Sequence, residues 1–327
     1  MGDIRWGILG TGGIAHAQAA DLVANGFIVT AVGSRNRESA EAFAAEFAIP
    51  AAYDSYESLV GDPGVDIVYV STPHPFHAPN ATLALRAGKH VLLEKPFAMN
   101  AREARAVVEL AQSSGLVVLE AMWTRFLPHM RRIREIIAAG TIGEVRTLLA
   151  DHNQLLPSDP LHRLNNPALG GGALLDLGIY PVSFAVDLFG EPTTVLADAA
   201  MTATGVDRQT AIVLGFAGGR QAVLHTALDA LGPNTAAVIG TTGRIELESV
   251  WYTPTAFTVY DSRSAVLERY EQSVAGRGMQ FQAWEAERLI VAGLTAGDIL
   301  PPSETVQIME ALDDVRRQIG LVYSQDE

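Results

Sequence analysis

The residues that most constrain this chain are Gly10-Thr11-Gly12-Gly13-Ile14-Ala15, a G-x-G-x-x-A turn. It stands straight after a short apolar run, Ile4 to Leu9, and straight before a helix-like segment, Ile14 to Asn25. Gly10 allows the tight turn, Gly12 lets the backbone approach a pyrophosphate, and Ala15 permits close strand–helix packing. Glycine pairs also occur in ordinary turns. The strand–turn–helix context at the start of the chain is what points to a dinucleotide, held by the backbone of Gly10, Thr11, Gly12, Gly13 and Ile14.

The alternation continues. Phe27 to Gly33 reads as a second strand, followed by Asn36 as an N-cap and a helix whose apolar face is Ala40, Phe43, Ala44 and Phe47, closed by Pro50. Val65 to Ser71, His90 to Leu93 and Val117 to Ala121 are three further strands, separated by helices around Pro79 to Ala87 and from Asn100 to Gly115. Asn100 with Glu103 resembles a capping box. Short links between alternating strands and helices predict an α/β fold, a doubly wound parallel Rossmann sheet over residues 1–122. After Met122 the character changes. Gln209 to Phe216 and Arg220 to Leu228 flank Ala217-Gly218-Gly219, another pair flanks Thr241-Thr242-Gly243, and Gly172 to Phe189 is one long helical segment. Residues 123–327 are therefore expected to form an α+β domain with a mostly antiparallel open sheet, shaping the substrate pocket and mediating dimerisation. A last helix over residues 303–320, with Ser303 as its N-cap, packs back on the first domain in this reading.

Composition narrows the functional classes. A length of 327 residues suits two domains, and 48% hydrophobic with 18% charged residues is globular. A formal net charge of −14 argues against a nucleic-acid or anionic-membrane partner. There is no cysteine, which removes disulfides, thiolate metal ligands and cysteine nucleophiles. Met1-Gly2-Asp3-Ile4-Arg5 leads directly into a strand-like run, and no apolar stretch is seen to approach the ~20 residues that span a bilayer. A cytoplasmic protein is expected.

The end of the second strand bears on the dinucleotide's identity. NAD-preferring sites place Asp or Glu there for the ribose 2′-hydroxyl. This chain has Gly33-Ser34-Arg35-Asn36-Arg37, so Ser34 and Arg35 favour the 2′-phosphate of NADP over NAD, unless the arginines are simply solvated. Thr72, Pro73 and His77 follow the third strand at the same sheet edge and are expected to line the cofactor. Glu94-Lys95-Pro96 ends the fourth strand at that edge, and Lys95 is either an exposed loop lysine or part of the chemistry. Trp123 and Arg125 follow the fifth strand, where they could stack on or hydrogen-bond a polyol or reach the cofactor. Asn153, Arg163 and Trp251 are candidates for the pocket wall. His74 and His77 have no obvious third ligand beside them, so no metal is expected.

Gly170-Gly171-Gly172-Ala173-Leu174-Leu175-Asp176-Leu177-Gly178-Ile179-Tyr180 is the second cluster. Three glycines let the backbone pass close to something. Asp176 and Tyr180, four apart, share a helix face, and Pro181 predicts a kink or break. Alone, such a pair is as compatible with a structural hydrogen bond as with catalysis.

With the glycine turn, Glu94-Lys95-Pro96 and Asp176/Tyr180 in this order, the chain resembles the glucose–fructose oxidoreductase/inositol dehydrogenase (Gfo/Idh/MocA) family along essentially its whole length. Gln280-Phe281, Glu285 and the final helix extend the likeness. Many members carry histidine four residues after the aspartate. Tyr180 there, with Glu120-Ala121-Met122-Trp123-Thr124-Arg125-Phe126 and Leu169-Gly170-Gly171-Gly172, resembles the branch of dimeric dihydrodiol dehydrogenases and NADP-dependent xylose dehydrogenases. The resemblance implies hydride transfer between a hydroxyl-bearing carbon of a sugar or cyclic diol and the nicotinamide, in a homodimer or higher oligomer. Tyr180 is then the general acid/base, Lys95 favours its phenolate, since a free tyrosine with pKa ~10 is a poor base, and Asp176 orients a substrate hydroxyl. Two alternatives stand beside this: nicotinamide-dependent elimination of the glycosidase kind, and a non-catalytic NADP-binding sensor.

Overall fold

The computed structural model describes residues 4–326; residues 1–3, read above as leading into the first strand, and residue 327 lie outside the described residues. The chain divides into two compact units, Met1–Trp123 with Ala275–Val306, and Thr124–Val274 with Gln307–Glu327.

The first unit is built on a parallel sheet of six strands: β1 (Arg5–Leu9), β2 (Ile28–Gly33), β3 (Ala51–Tyr53), β4 (Ile67–Val70), β5 (His90–Glu94) and β6 (Val118–Ala121), in the order β3-β2-β1-β4-β5-β6. The order reverses between β1 and β4, which is where such sheets open a crevice at their carboxyl ends. Ile8, Leu9, Val68, Val70, Leu92 and Leu93 are fully buried, as strands covered on both faces require. The sequence reading held five strands. The sixth, β3, has three residues, too few to display any periodicity, and exists because it pairs with β2. Between the strands run α1 (Gly13–Ala24), α2 (Arg37–Phe47), α3 (Tyr56–Val60), α4 (His77–Arg86) and α5 (Ala101–Ser114). The caps are those the residue types demand. The Asn36 side chain accepts from the Ser39 amide and Asn100 from that of Glu103, each at 2.9 Å, and Gly115 closes α5 at φ +66°.

The second unit begins with α6 (Pro128–Ala138) and forms an eight-stranded sheet from β7 (Val145–Asn153), β8 (Thr194–Met201), β9 (Asp207–Phe216), β10 (Arg220–Ala227), β11 (Ala236–Gly240), β12 (Gly243–Leu247), β13 (Phe257–Asp261) and β14 (Val266–Tyr270). The order is β14-β13-β12-β11-β7-β10-β9-β8, antiparallel throughout except where β7 meets β10. One face, with Leu148, Leu214, Ala222, Val238, Ile245 and Val259, is buried, and α7 (Ile179–Phe189) packs against β7 and β10. On the other face Leu196, Val213, Val223 and Leu149 stand in register across β8, β9, β10 and β7, with Leu196, Val223 and Leu149 exposed by 59%, 44% and 42%.

The break expected at Pro181 is a π-helical turn, Leu174–Gly178, running straight into α7. A wider turn accommodates the missing proline donor without ending the helix. The expectation that no segment has the length and apolarity to cross a membrane is corrected: the 23 residues Pro167–Phe189 meet both criteria. Their apolarity follows from burial, since 89% of the apolar window lies inside the fold and a helix enclosed on all sides needs no polar stripe. Asp187 on α7 pairs with Arg125 at 3.0 Å and with Arg134 of α6 at 2.8 Å.

The chain then returns to the first unit with α8 (Gln280–Val291) and the start of α9 (Pro302–Ile319). The Gln282 amide donates to Gln18 on α1 at 2.8 Å, and the Trp6 indole donates to Glu287 at 2.9 Å. The last helix starts at Pro302 rather than being capped by Ser303, a position that suits a residue with no amide hydrogen to satisfy.

Candidate active site

In the first unit the sequence motifs meet at the carboxyl edge of the parallel sheet. Gly10 sits at φ +108°, and a Cβ there would lie 2.9 Å from the Ser71 hydroxyl, so only glycine fits. Around Gly12 and Gly13 an added Cβ would meet nothing within 4 Å, so open space lies in front of the amino end of α1. That end has no capping side chain and no acidic residue in its first turn, which leaves its amides and dipole available to an anion. The residues therefore fit a dinucleotide pyrophosphate. Ser34 is buried and its hydroxyl accepts from the Asn36 amide at 3.2 Å. Arg35 is exposed with its guanidinium 5.8 Å from the centroid of the Phe76 ring, itself 41% exposed. Phe76 was not anticipated, although an apolar ring in a post-strand loop is a readable signal.

The loops after β4 and β5 are tied together by His77. One ring nitrogen lies 2.7 Å from the Thr72 carbonyl oxygen and the other 2.7 Å from that of Pro96. Pro73 caps the short helical turn His74–Phe76 that leads into α4. Glu94, at the end of β5, accepts from the Tyr69 hydroxyl at 2.5 Å and from the Lys95 amide at 3.2 Å. Burial pushes its carboxyl up to about 6, against the opposing pull of the Tyr69 hydrogen bond and the charges of Lys95 and Arg277. The Phe97 amide beyond the Lys95–Pro96 peptide is fixed by Glu120 at 3.2 Å, and Glu120 also accepts from Thr305 at 3.1 Å. Trp123 is almost wholly buried, with the Arg277 guanidinium 5.4 Å from its ring centroid.

In the second unit Tyr180 lies within an aromatic group. The His152 ring is edge-on to it at 4.9 Å, and Tyr252 stacks on His152 at 3.6 Å and lies 5.6 Å from Tyr180. The Gln154 amide nitrogen is 2.8 Å from Nε2 of His152. Asp176, one turn earlier, is ion-paired with Arg163 at 3.1 Å. The glycine run approaches the chain's own atoms. A Cβ on Gly171 would lie 2.6 Å from the Leu164 carbonyl oxygen, and one on Gly172, at φ +123°, would collide with the Asp207 carboxylate. Asp207 is fully buried and accepts from the Leu174 amide at 2.7 Å and the Thr210 hydroxyl at 2.8 Å, anchoring the head of the π turn. Desolvation pushes its carboxyl up to about 6.

Not every expected residue joins these clusters. Asn153 points to the face of β7 opposite His152, bonding Asp151 at 2.7 Å and His225 at 2.7 Å. Trp251 is fully buried, donates its indole N–H to the Asp151 carbonyl at 2.8 Å and stacks on Phe184, so it belongs to the core. Arg125 is 1% exposed and held by Asp187 and the Ser183 carbonyl. The sequence reading missed His152 and Tyr252, each adjacent to a residue it named: alternation along β7 puts His152 on the face opposite Asn153, while Tyr252 lies in the turn between β12 and β13, where no periodicity tells which neighbour reaches Tyr180. Arg277 carried no sequence signal at all.

Residues 4–122 match the family model described as an oxidoreductase family with an NAD-binding Rossmann fold, and residues 130–246 match the Gfo/Idh/MocA C-terminal domain. The chain belongs to the Gfo/Idh/MocA oxidoreductase family. Among the family's curated members it is 37% identical to the mouse (Mus musculus) trans-1,2-dihydrobenzene-1,2-diol dehydrogenase and 36% identical to that of Danio rerio, with 99% of each chain covered. Among solved Gfo/Idh/MocA-like structures, a 3-ketoreductase from Actinomadura kijaniata in complex with NADP and TDP-benzene is 26% identical with a TM-score of 0.85, covering 97% of this chain and 98% of the other. An aldose–aldose oxidoreductase from Caulobacter crescentus, complexed with glycerol, is 26% identical with a TM-score of 0.85, covering 96% and 97%.

Proposed function

We propose that this protein is an NADP-dependent dehydrogenase or reductase acting on a hydroxyl-bearing carbon of a sugar or cyclic diol. The observation that carries the reading is the open glycine turn at the end of β1 with Arg35 beside it and Glu94-Lys95 at the end of β5, in a chain whose full-length relatives are named diol dehydrogenases. Arg35 is the residue for a 2′-phosphate. It stands exposed at the end of β2 where no carboxylate replaces it, with its guanidinium 5.8 Å from the centroid of the Phe76 ring.

The nicotinamide, when bound, supplies or accepts the hydride. In this reading the chain's own residues handle the proton and the substrate. Tyr180 gives its hydroxyl proton to the substrate oxygen in reduction and takes it back in oxidation. Lys95 contributes a positive charge that favours the phenolate. Asp176, steadied by Arg163, holds a second substrate hydroxyl. The His152 and Tyr252 rings pack around the Tyr180 ring and hold its orientation. The solved variants of the Actinomadura kijaniata ketoreductase, one with a tyrosine changed to phenylalanine and one with a lysine changed to alanine, single out the same two residue types.

The exposed apolar row Leu196–Val213–Val223–Leu149 fits burial against a second copy of the chain, so the working form is a homodimer. A cytoplasmic location is part of this proposal, and the net charge of −14 supports a protein without a nucleic-acid or anionic-membrane partner.

The deciding experiment follows absorbance at the reduced-nicotinamide band with NADP⁺ or NAD⁺ and a panel of aldoses and vicinal diols. Growth with NADP⁺ on one substrate class is expected. Tyr180→Phe then lowers turnover by roughly 10²–10⁴-fold, the usual worth of a general acid/base, while NADP binding persists. Cofactor bound with no reduction across the panel would move the weight to elimination chemistry or a sensor.

A further inference from the structure

We propose that Arg277 is an anion-recognition point in the first unit, and that the polyol substrate carries a negatively charged oxygen group, a carboxylate or a phosphate. The inference rests on the oxidoreductase reading above and names the substrate class within it.

Arg277 is held in place. Its backbone amide donates to the two Asp21 carboxylate oxygens at 3.0 and 3.1 Å, and the Met279 amide donates to the same group at 2.8 Å. Gly276, at φ +65°, has its Cβ position filled by the Asp21 carboxylate, so no larger residue fits the turn. From this fixed backbone the guanidinium lies over the Trp123 indole, 5.4 Å from its centroid, while the side chain stays exposed. In an acidic chain most arginines find carboxylates: Arg132 pairs with Glu268, Arg134 with Asp187, Arg288 with Glu285 and Arg316 with Asp313. Among the described residues, no carboxylate pairs with Arg277 and no group accepts from its guanidinium. A charged fork left open over an indole is suited to bidentate pairing with a carboxylate or phosphate.

Position separates this point from the cofactor's phosphates. The glycine turn and Arg35 end β1 and β2, whereas Trp123 follows β6 and Glu94, which feels the charges of both Lys95 and Arg277, ends β5. From β1 to β5 or β6 is two to three strand spacings, roughly 10–15 Å. Arg277 thus belongs with Lys95 and Trp123, at the reacting end of the sheet edge.

The test is a binding ratio, measured by calorimetry on the full chain loaded with NADP⁺. Gluconate is compared with glucitol, and a hexose phosphate with the hexose. For at least one pair the anion is expected to bind on the order of tenfold tighter or more, the usual scale for a charge-assisted hydrogen bond; which pair does so tells carboxylate from phosphate. Arg277→Gln is expected to abolish the preference, and Arg277→Lys to restore part of it, with NADP⁺ affinity as the check on folding. Equal affinities within both pairs, or a preference that survives Arg277→Gln, overturns the proposal. Because the readout is binding, it is decided independently of the absorbance assay that decides the oxidoreductase reading.

Discussion

Arg35 and Tyr180 show how differently single residues declare themselves. The reading of Arg35 rests on its position alone, the end of the second strand of a βαβ unit, where the residue that meets the adenosine ribose stands in such folds. Replacing it with alanine removes a charge-assisted pair, so the KM for NADP⁺ should rise about tenfold or more while that for NAD⁺ barely moves. Steady-state kinetics with both cofactors checks this, and a parallel loss for both would place Arg35 outside the 2′-phosphate site. Tyr180 was named through its spacing from Asp176 and the family pattern, whereas its neighbours were not. His152 lies one residue from Asn153, and a single step along a strand exchanges the two faces of a sheet; Tyr252 follows Trp251 in a turn, where no periodicity aims a side chain. Side-chain chemistry is written in the sequence, but the pleat that aims it is set by pairing to distant strands.

The elements that local rules control were legible: helices with Asn caps and glycine stops, hairpins around glycine turns, and an alternating parallel half. Elements that exist through tertiary partners were not. β3 is too short to carry a pattern, and the π turn ahead of α7 is a compromise between Pro181 and an anchor thirty residues on. That anchor, Asp207, has a measurable signature. Its carboxyl stands at about 6 in the fold against about 4 in an unfolded chain, so the folded state holds the extra proton between those values. Its contribution to stability, on the order of 2–3 kcal/mol, is fully present below about pH 4 and lost as pH rises through about 6. Asp207→Asn cannot titrate, so the fall in Tm between pH 4.5 and 7.5 should become shallower, leaving the part owed to Glu94, whose shift has the same sign. An unchanged slope would show that Asp207 does not carry the buried proton.

For the whole molecule, fold class and family were plain from the sequence, and the open sheet face supplies the assembly prediction. Leu149→Asp with Val223→Lys places charges in the middle of the exposed apolar row without touching the buried face. Light scattering should then report a monomer with a normal circular-dichroism spectrum, and a persisting dimer would move the contact elsewhere. The arrangement along the chain has another consequence. The nucleotide-binding half is completed by residues 275–306, through Asp21 with Arg277 and Met279, Gln18 with Gln282, and Trp6 with Glu287. During synthesis, at 5–20 residues per second, the first strands emerge many seconds before the helices that cover them. The half translated first therefore waits with α1 uncovered until residues 124–274 of the second unit have been made, and the second unit is closed in its turn by residues 307–327.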